Sequence, residues 1–172
     1  TGNTCTNAGP CVVGDIGPGG GVVFYDAGMS KSWGYMEAAP VEVEGVGLPW
    51  KRLTAVDKRK PVYMNTRTTV ARIRRVQSKA IGMGQINTRA IVKAYGRGRY
   101  AARYADAMVL NGYDDWFLPS KDELNVMYSV LSTAYPRIGS YARSFYWSSS
   151  EYDFNNAWTV NFKDGQQFDR EK

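Results

Sequence analysis

The 172-residue chain contains no histidine at all. That removes the commonest general base at neutral pH and the commonest transition-metal ligand. Ser-His-Asp and Cys-His nucleophile chemistry go with it, leaving only carboxylate or lysine schemes for an enzyme. Cysteine is scarce too, and Cys5 and Cys11 are too few for a cysteine-only zinc site. They sit close together among glycine, asparagine and proline, where a small loop closes easily. A local disulfide is the expected reading, with two reduced thiols as the alternative. Long apolar runs are missing: nothing approaches the roughly 18 residues a membrane span needs. Nor does the chain open with the basic-then-apolar pattern of a signal peptide. The expectation is a soluble domain, not inserted in a membrane, whose export signal lies outside this sequence.

Acidic residues are nearly absent from the middle of the chain, and this absence exposes its strongest feature. Residues 51–103 hold fifteen bases and one acid, Asp57, a net of +14, whereas residues 1–50 and 104–172 each carry a net of −4. The bases come in groups: Lys51 and Arg52; Lys58, Arg59 and Lys60; Arg67, Arg72, Arg74, Arg75 and Lys79; then Arg89, Lys93, Arg97, Arg99 and Arg103. On a helix Arg72, Arg75 and Lys79 would share a face through their i, i+3, i+7 spacing. Arginine dominates, which favours bidentate contact with sulfate, phosphate or carboxylate. An ordinary solvated face is the bland alternative, but such faces mix signs. The candidate polyanion-binding residues are therefore Lys51, Arg52, Lys58, Arg59, Lys60, Arg67, Arg72, Arg74, Arg75, Lys79, Arg97 and Arg99, with the 67–79 group central.

The length suits one domain, residues 13–172, after a linker segment over residues 1–12. Gly14 to Gly21 forms a turn feeding a strand at Val22–Tyr25, since no Gly-Lys-Ser/Thr follows to make a phosphate loop. Residues 34–39 read as a second strand, and a short strand is possible near Val62–Met64. Thr68 or Thr69 starts a helix through about Lys79, Asn87-Thr88 caps the next, with Ile91, Ala94 and Tyr95 on one face, and Tyr100–Leu110 forms another that stops at Asn111-Gly112. Ser120 with Glu123 three residues on is a capping box, and Leu124, Met127, Tyr128 and Leu131 make the buried face behind it. Strands follow at 145–148, at 157–162 and, after the Asp164-Gly165 turn, through about Phe168. Helices between terminal strands predict an α+β, loop-in fold with the amino- and carboxy-terminal strands in one antiparallel sheet and two to four helices between.

The blocks Val13–Tyr25, Gly82-Met83-Gly84-Gln85-Ile86-Asn87-Thr88, Asn111-Gly112-Tyr113-Asp114-Asp115-Trp116-Phe117-Leu118-Pro119-Ser120-Lys121-Asp122-Glu123-Leu124, Tyr146–Tyr152, Ala157-Trp158 and Asn161-Phe162 occur in order along the chain. Together they resemble the bacterial domain family named after the carboxy-terminal domain of the Legionella collagen-like adhesin, itself similar to C-type-lectin-like folds. The resemblance implies a secreted or cell-surface adhesin domain on a trimeric collagen-like stalk, binding host sulfated glycosaminoglycans such as heparin, with a part in adhesion, virulence and biofilm. No Gly-X-Y repeat is present, so the stalk and the homotrimer rest on the resemblance alone. The Glu-Pro-Asn and Gln-Pro-Asp tripeptides of calcium-dependent sugar binding are absent, so calcium-independent binding is expected.

Other features read as structure. Asp114 and Asp115 are adjacent, and on an extended chain they point opposite ways, unlike a glycosidase pair. Trp116, Trp147 and Trp158 can stack on sugars but suit a core, and Ser148–Glu151 can satisfy buried backbone at a strand end. The expectation is a binding module that is not an enzyme and takes no cofactor or metal. A nucleic-acid or acidic-protein partner is the alternative, nucleic acid being disfavoured by the lack of a recognition motif.

Overall fold

The computed structural model describes residues 5, 10–28, 33–52, 78–134, 141, 144–153 and 155–172. The expected strand at Val62–Met64, most of the helix from Thr68 or Thr69, and the bases Lys58, Arg59, Lys60, Arg67, Arg72, Arg74 and Arg75 lie outside them. The chain is α+β. Strand β1, Val22–Asp26, pairs antiparallel with β2, Tyr35–Ala38, while β3, Phe145–Glu151, β4, Asn156–Asn161, and β5, Gln167–Glu171, form a second antiparallel sheet in that order. Between the sheets in sequence lie helices α1, Gly84–Tyr95, α2, Ala101–Asp106, and α3, Lys121–Tyr128, the last continued by a wider turn over Ser129–Ala134.

The expectation of one sheet joining both ends of the chain is corrected: among the described residues the two sheets share no ladder. They are joined instead through α3. Leu131 packs with Val22, Phe24, Met36 and Ala38 of the first sheet, while Leu124 packs with Val160 and Phe162 of the second. A helix carrying apolar residues at 124, 127, 128 and 131 presents a stripe broad enough to serve both sheets. Leu124 and Leu131 are buried, and Met127 and Tyr128 half-buried on the flanks. A third cluster packs Trp50, Ile91, Tyr100, Ala102 and Ala157 between α1, α2 and β4.

Two helix boundaries depart from the sequence reading. Asn87 and Thr88 lie inside α1, which begins at Gly84 after Met83, a residue with no side-chain capping bond. Both are buried. Thr88 Oγ1 donates to Leu118 O (3.2 Å) and accepts from Leu118 N (3.0 Å), and Asn87 Nδ2 donates to Ser78 O (2.9 Å) and Ser149 Oγ (3.3 Å). They are cross-braces rather than caps. The orphan donors at the start of α1 are met from another helix: Glu123 Oε1 accepts from Gly82 N (2.7 Å) and Gly84 N (3.2 Å). Its Oε2 accepts from Ser120 N (2.6 Å) while Ser120 Oγ accepts from Glu123 N, completing the expected capping box. The helix expected over Tyr100–Leu110 ends at Asp106, and Asn111 (φ 51°) with Gly112 (φ 85°) forms a left-handed turn bridging Leu110 to Tyr113.

Cys5 and Cys11 are disulfide-bonded, their Cα atoms 5.4 Å apart. They pack on Val23 beside Tyr35. The glycine turn before β1 closes around a side chain from β2: Glu37 accepts from Gly19 N (3.3 Å) and Gly21 N (3.0 Å). A Cβ on Gly17 would lie 2.1 Å from that carboxylate, so the turn needs glycine there for room.

Candidate anion-binding surface

The surface is organised by the serine run of β3. The β3–β4 register shifts between Trp147 and Glu151, and Ser148, Ser149 and Ser150 are fully buried within that irregularity. Three small hydroxyl residues there can each bond neighbouring backbone. Ser149 Oγ donates to Pro119 O (3.1 Å) and Ser150 Oγ to Ser78 O (2.8 Å), while Lys121 N donates to Ser150 Oγ (3.0 Å) and Trp50 Nε1 to Ser148 O (2.7 Å). The described chain thus reaches β3 at Trp50, before the central basic groups, and again at Ser78, after them. Both points of attachment fall within three consecutive residues.

Next to the second attachment stands Trp158 of β4. Lys79 Nζ lies 5.1 Å and Lys121 Nζ 4.5 Å from the centre of its ring, and Tyr152 meets it edge-on at 5.0 Å. Both lysines are held by backbone, Lys121 as first residue of α3 and Lys79 through its carbonyl, which accepts from Asp122 N (3.0 Å). Ser78 and Lys79 are not helical, so the helical face expected for Arg72, Arg75 and Lys79 does not extend to its last member. The buried Trp158 Nε1 has no hydrogen-bond partner. Two ammonium groups and an unmatched N–H donor therefore converge on one indole. The ring faces thus hold two positive charges close together.

Next to the first attachment, Arg52 runs alongside Gly98: a Cβ on that glycine would lie 3.0 Å from Arg52 Cγ. Arg97 and Arg99, both exposed, flank the same glycine. The fold thus brings the 51–52 and 97–99 groups together. Burial raises the Tyr100 hydroxyl above its usual range, against the pull of the nearby Arg103 and Arg52 charges. Arg103 is occupied by Asp106 (3.1 Å) on its own helix.

Lys172 links the two areas. It pairs with Glu151, donates to Asp153 O (2.9 Å) and lies 4.7 Å from the ring centre of Trp50. Burial lowers its ammonium below the ordinary lysine range and raises the Glu151 carboxyl, each opposed by the charge of the other. Lys51 acts on this pair too, stabilising the Glu151 charge and opposing that of Lys172. Lys172 and Glu151 thus form a buried pair beside Trp50, while Arg52, Arg97 and Arg99 gather at Gly98 and Lys79 and Lys121 at Trp158.

Sequence reasoning named Lys51, Arg52, Lys79, Arg97 and Arg99, and missed Lys121, Lys172 and the role of Trp158. Lys121 lay within the capping box, whose local meaning masked any other; nothing along the chain signals Lys172. Asp114 and Asp115 are exposed. Among the described residues no group of three or more His, Cys, Asp or Glu side chains is placed to hold a metal ion, and no helix is long and apolar enough to cross a membrane.

No curated protein and no solved structure matches the chain. The model of one family, described as the Lcl C-terminal domain, matches residues 43–172. That span includes the whole basic block and every block of the resemblance except the first, Val13–Tyr25, which precedes it together with β1 and β2. An adhesin context and a cell-surface or extracellular setting are compatible with this match. Matched over well more than half its length, the chain belongs to the Lcl C-terminal domain family, that of the carboxy-terminal domain of the Legionella collagen-like protein.

Proposed function

We propose that this domain is a calcium-independent binding module for sulfated glycosaminoglycans or similar anionic polymers, displayed outside the bacterial cell as part of a trimer, and that it performs no chemistry on its ligand. The observation that carries the reading is the placement of Lys79 and Lys121 together over the Trp158 ring, with Arg52, Arg97 and Arg99 gathered separately at Gly98. A sulfate or carboxylate at Trp158 would lie between the two ammonium groups. Successive anionic groups of a polymer would meet Lys51, Arg52, Arg97 and Arg99. Lys58, Arg59, Lys60, Arg67, Arg72, Arg74 and Arg75 lie in sequence between the two attachments to β3 and would add their charge to the polymer's binding. Three such surfaces in a trimer, engaged by one polymer, multiply avidity without new contacts.

Titration with heparin at several salt concentrations tests this. Counterion release requires the logarithm of the affinity to fall linearly with the logarithm of salt, by roughly 0.7–0.9 per anionic group engaged, taking nucleic acids as the reference polyanion. Replacing Lys79 and Lys121 together by alanine should weaken binding about tenfold and make the slope shallower by about two such contacts. Salt-independent affinity, or wild-type affinity in that double variant, would refute the proposal. Competition by duplex DNA at matched charge discriminates a nucleic-acid binder, which should prefer the duplex.

A further inference from the structure

A groove of about 900 Å³ opens on another part of the molecule, between the Ala39–Leu48 connection, β2, α2 and the start of the carboxy-terminal sheet. In a chain with net charge +6 its lining is acidic: Glu37, Glu44 and Asp115 face Arg170 as the single base. Arg170 is turned onto the Phe145 ring, its guanidinium carbon 3.3 Å from the ring centre. The walls are aromatic, including Trp33, Trp116, Trp147, Tyr104 and Tyr141.

Two polar atoms in this lining are buried without a hydrogen-bond partner, Glu44 Oε1 and Trp116 Nε1. Both residues line the groove with the aromatic walls. The Tyr104 hydroxyl donates to Val43 O (2.9 Å), and its ring lies 2.9 Å from where a Cβ on Gly45 would stand, so Tyr104 brackets Glu44 from both neighbours. Tyr141 donates to Ala39 O (2.6 Å), and burial, with the charges of Glu44 and Glu42, holds its hydroxyl well above the ordinary tyrosine range. Trp116 and the Glu37 carboxylate both crowd Gly19, within 3.0 Å of where a Cβ would stand there.

A buried carboxylate oxygen without a partner, in a groove walled by aromatic rings, is destabilising unless a positive group sits against it. The volume is that of a small-molecule pocket. We propose that this groove binds a small organic ammonium ion, its charge between Glu44 and the Tyr104 and Tyr141 rings, its apolar substituents against the tryptophans, and a hydroxyl or carbonyl accepting from Trp116 Nε1. The site is separate in charge and composition from the anion-binding surface, and neither reading depends on the other.

Tryptophan fluorescence of the whole domain titrated with choline, and with its uncharged isostere 3,3-dimethylbutan-1-ol, tests the proposal. The expected result is saturable binding of choline with the isostere at least about tenfold weaker, the size of effect a desolvated cation–ring contact confers. Glu44→Gln, which keeps shape and removes charge, should weaken choline about tenfold and leave heparin affinity unchanged. Tyr104→Leu, a second variant that leaves the carboxylate in place, should weaken it several-fold, and far-UV circular dichroism verifies that each variant folds. No saturable response, equal affinity for the isostere, or wild-type choline affinity in both folded variants overturns the proposal. Loss of heparin binding alone overturns only the anion-binding reading.

Discussion

Glu123 is a carboxylate with 1% of its surface exposed that serves two helices at once. Its capping-box role is legible in four consecutive residues, because partner and cap lie three positions apart. Its bonds to Gly82 and Gly84 are not, because they join residues about forty positions apart. Burial raises its carboxyl above the ordinary range, and the backbone donors of Ser120, Gly84 and Gly82 only partly offset this. A folded-state value above the unfolded one means that this group's contribution is fully present below the unfolded value and is lost as pH rises through the folded one. Glu123→Gln resembles the protonated form and does not titrate. The stability advantage of the wild type over Glu123→Gln should therefore be greater at pH 4 than at pH 7. Urea unfolding of both proteins at the two pH values measures it, and an advantage that grows toward neutral pH would contradict the assignment.

At the level of elements, the second attachment of the basic segment depends on β3 and α1. Ser150 and Asn87 both donate to Ser78 O, and Ser150 also caps Lys121 N. Removing the Ser150 hydroxyl leaves the part-buried Lys121 N–H unmatched and one bond to Ser78 fewer, which should destabilise the fold by about 1–3 kcal/mol. The same change frees the Lys79 side of the Trp158 group, so Ser150→Ala should also weaken heparin binding. Differential scanning calorimetry and a heparin titration check the two effects. Ser150→Thr, which keeps the hydroxyl, should recover part of the binding. The strands, α3 and the Asp164-Gly165 hairpin were legible because alternation, capping and turn chemistry are local signals. The start of α1 was not, since its cap comes from Glu123, and Ser148–Ser150 offered no apolar pattern that would extend the strand. The sheet arrangement was missed because helix α3, with a stripe wide enough for two sheets, separates strands that alternation alone would allow to pair.

Across the whole molecule, charge is arranged against stability. The bases of residues 51–103 outnumber acids fifteen to one, and of the described ones Arg52, Arg97 and Arg99 meet at Gly98, Lys51 acts on Lys172, and Lys79 stands over Trp158. This clustering was legible as a count along the chain, but which bases meet was not: Lys172 reaches Lys51 only through folding, by way of Glu151. That buried pair is one control point. Lys172→Met should destabilise the domain by about 3 kcal/mol by leaving Glu151 buried beside Asp153, whereas Lys172→Met with Glu151→Leu should recover most of the loss, which chemical denaturation of the two variants checks. Self-repulsion among the basic groups gives the other. Screening relieves it, so the melting temperature should rise between 50 and about 300 mM sodium chloride as the Debye length shortens. Heparin affinity should fall over the same range, because the same ions compete for the same bases. At low salt, heparin in about hundredfold excess over its dissociation constant should add about 2.7 kcal/mol of stability by mass action. Stability and affinity moving in opposite directions with salt is the signature of cations held together by the fold and neutralised by the ligand. If instead melting temperature falls as salt rises, ion pairs outweigh repulsion in this domain, and the basic groups are not held together at a cost to stability.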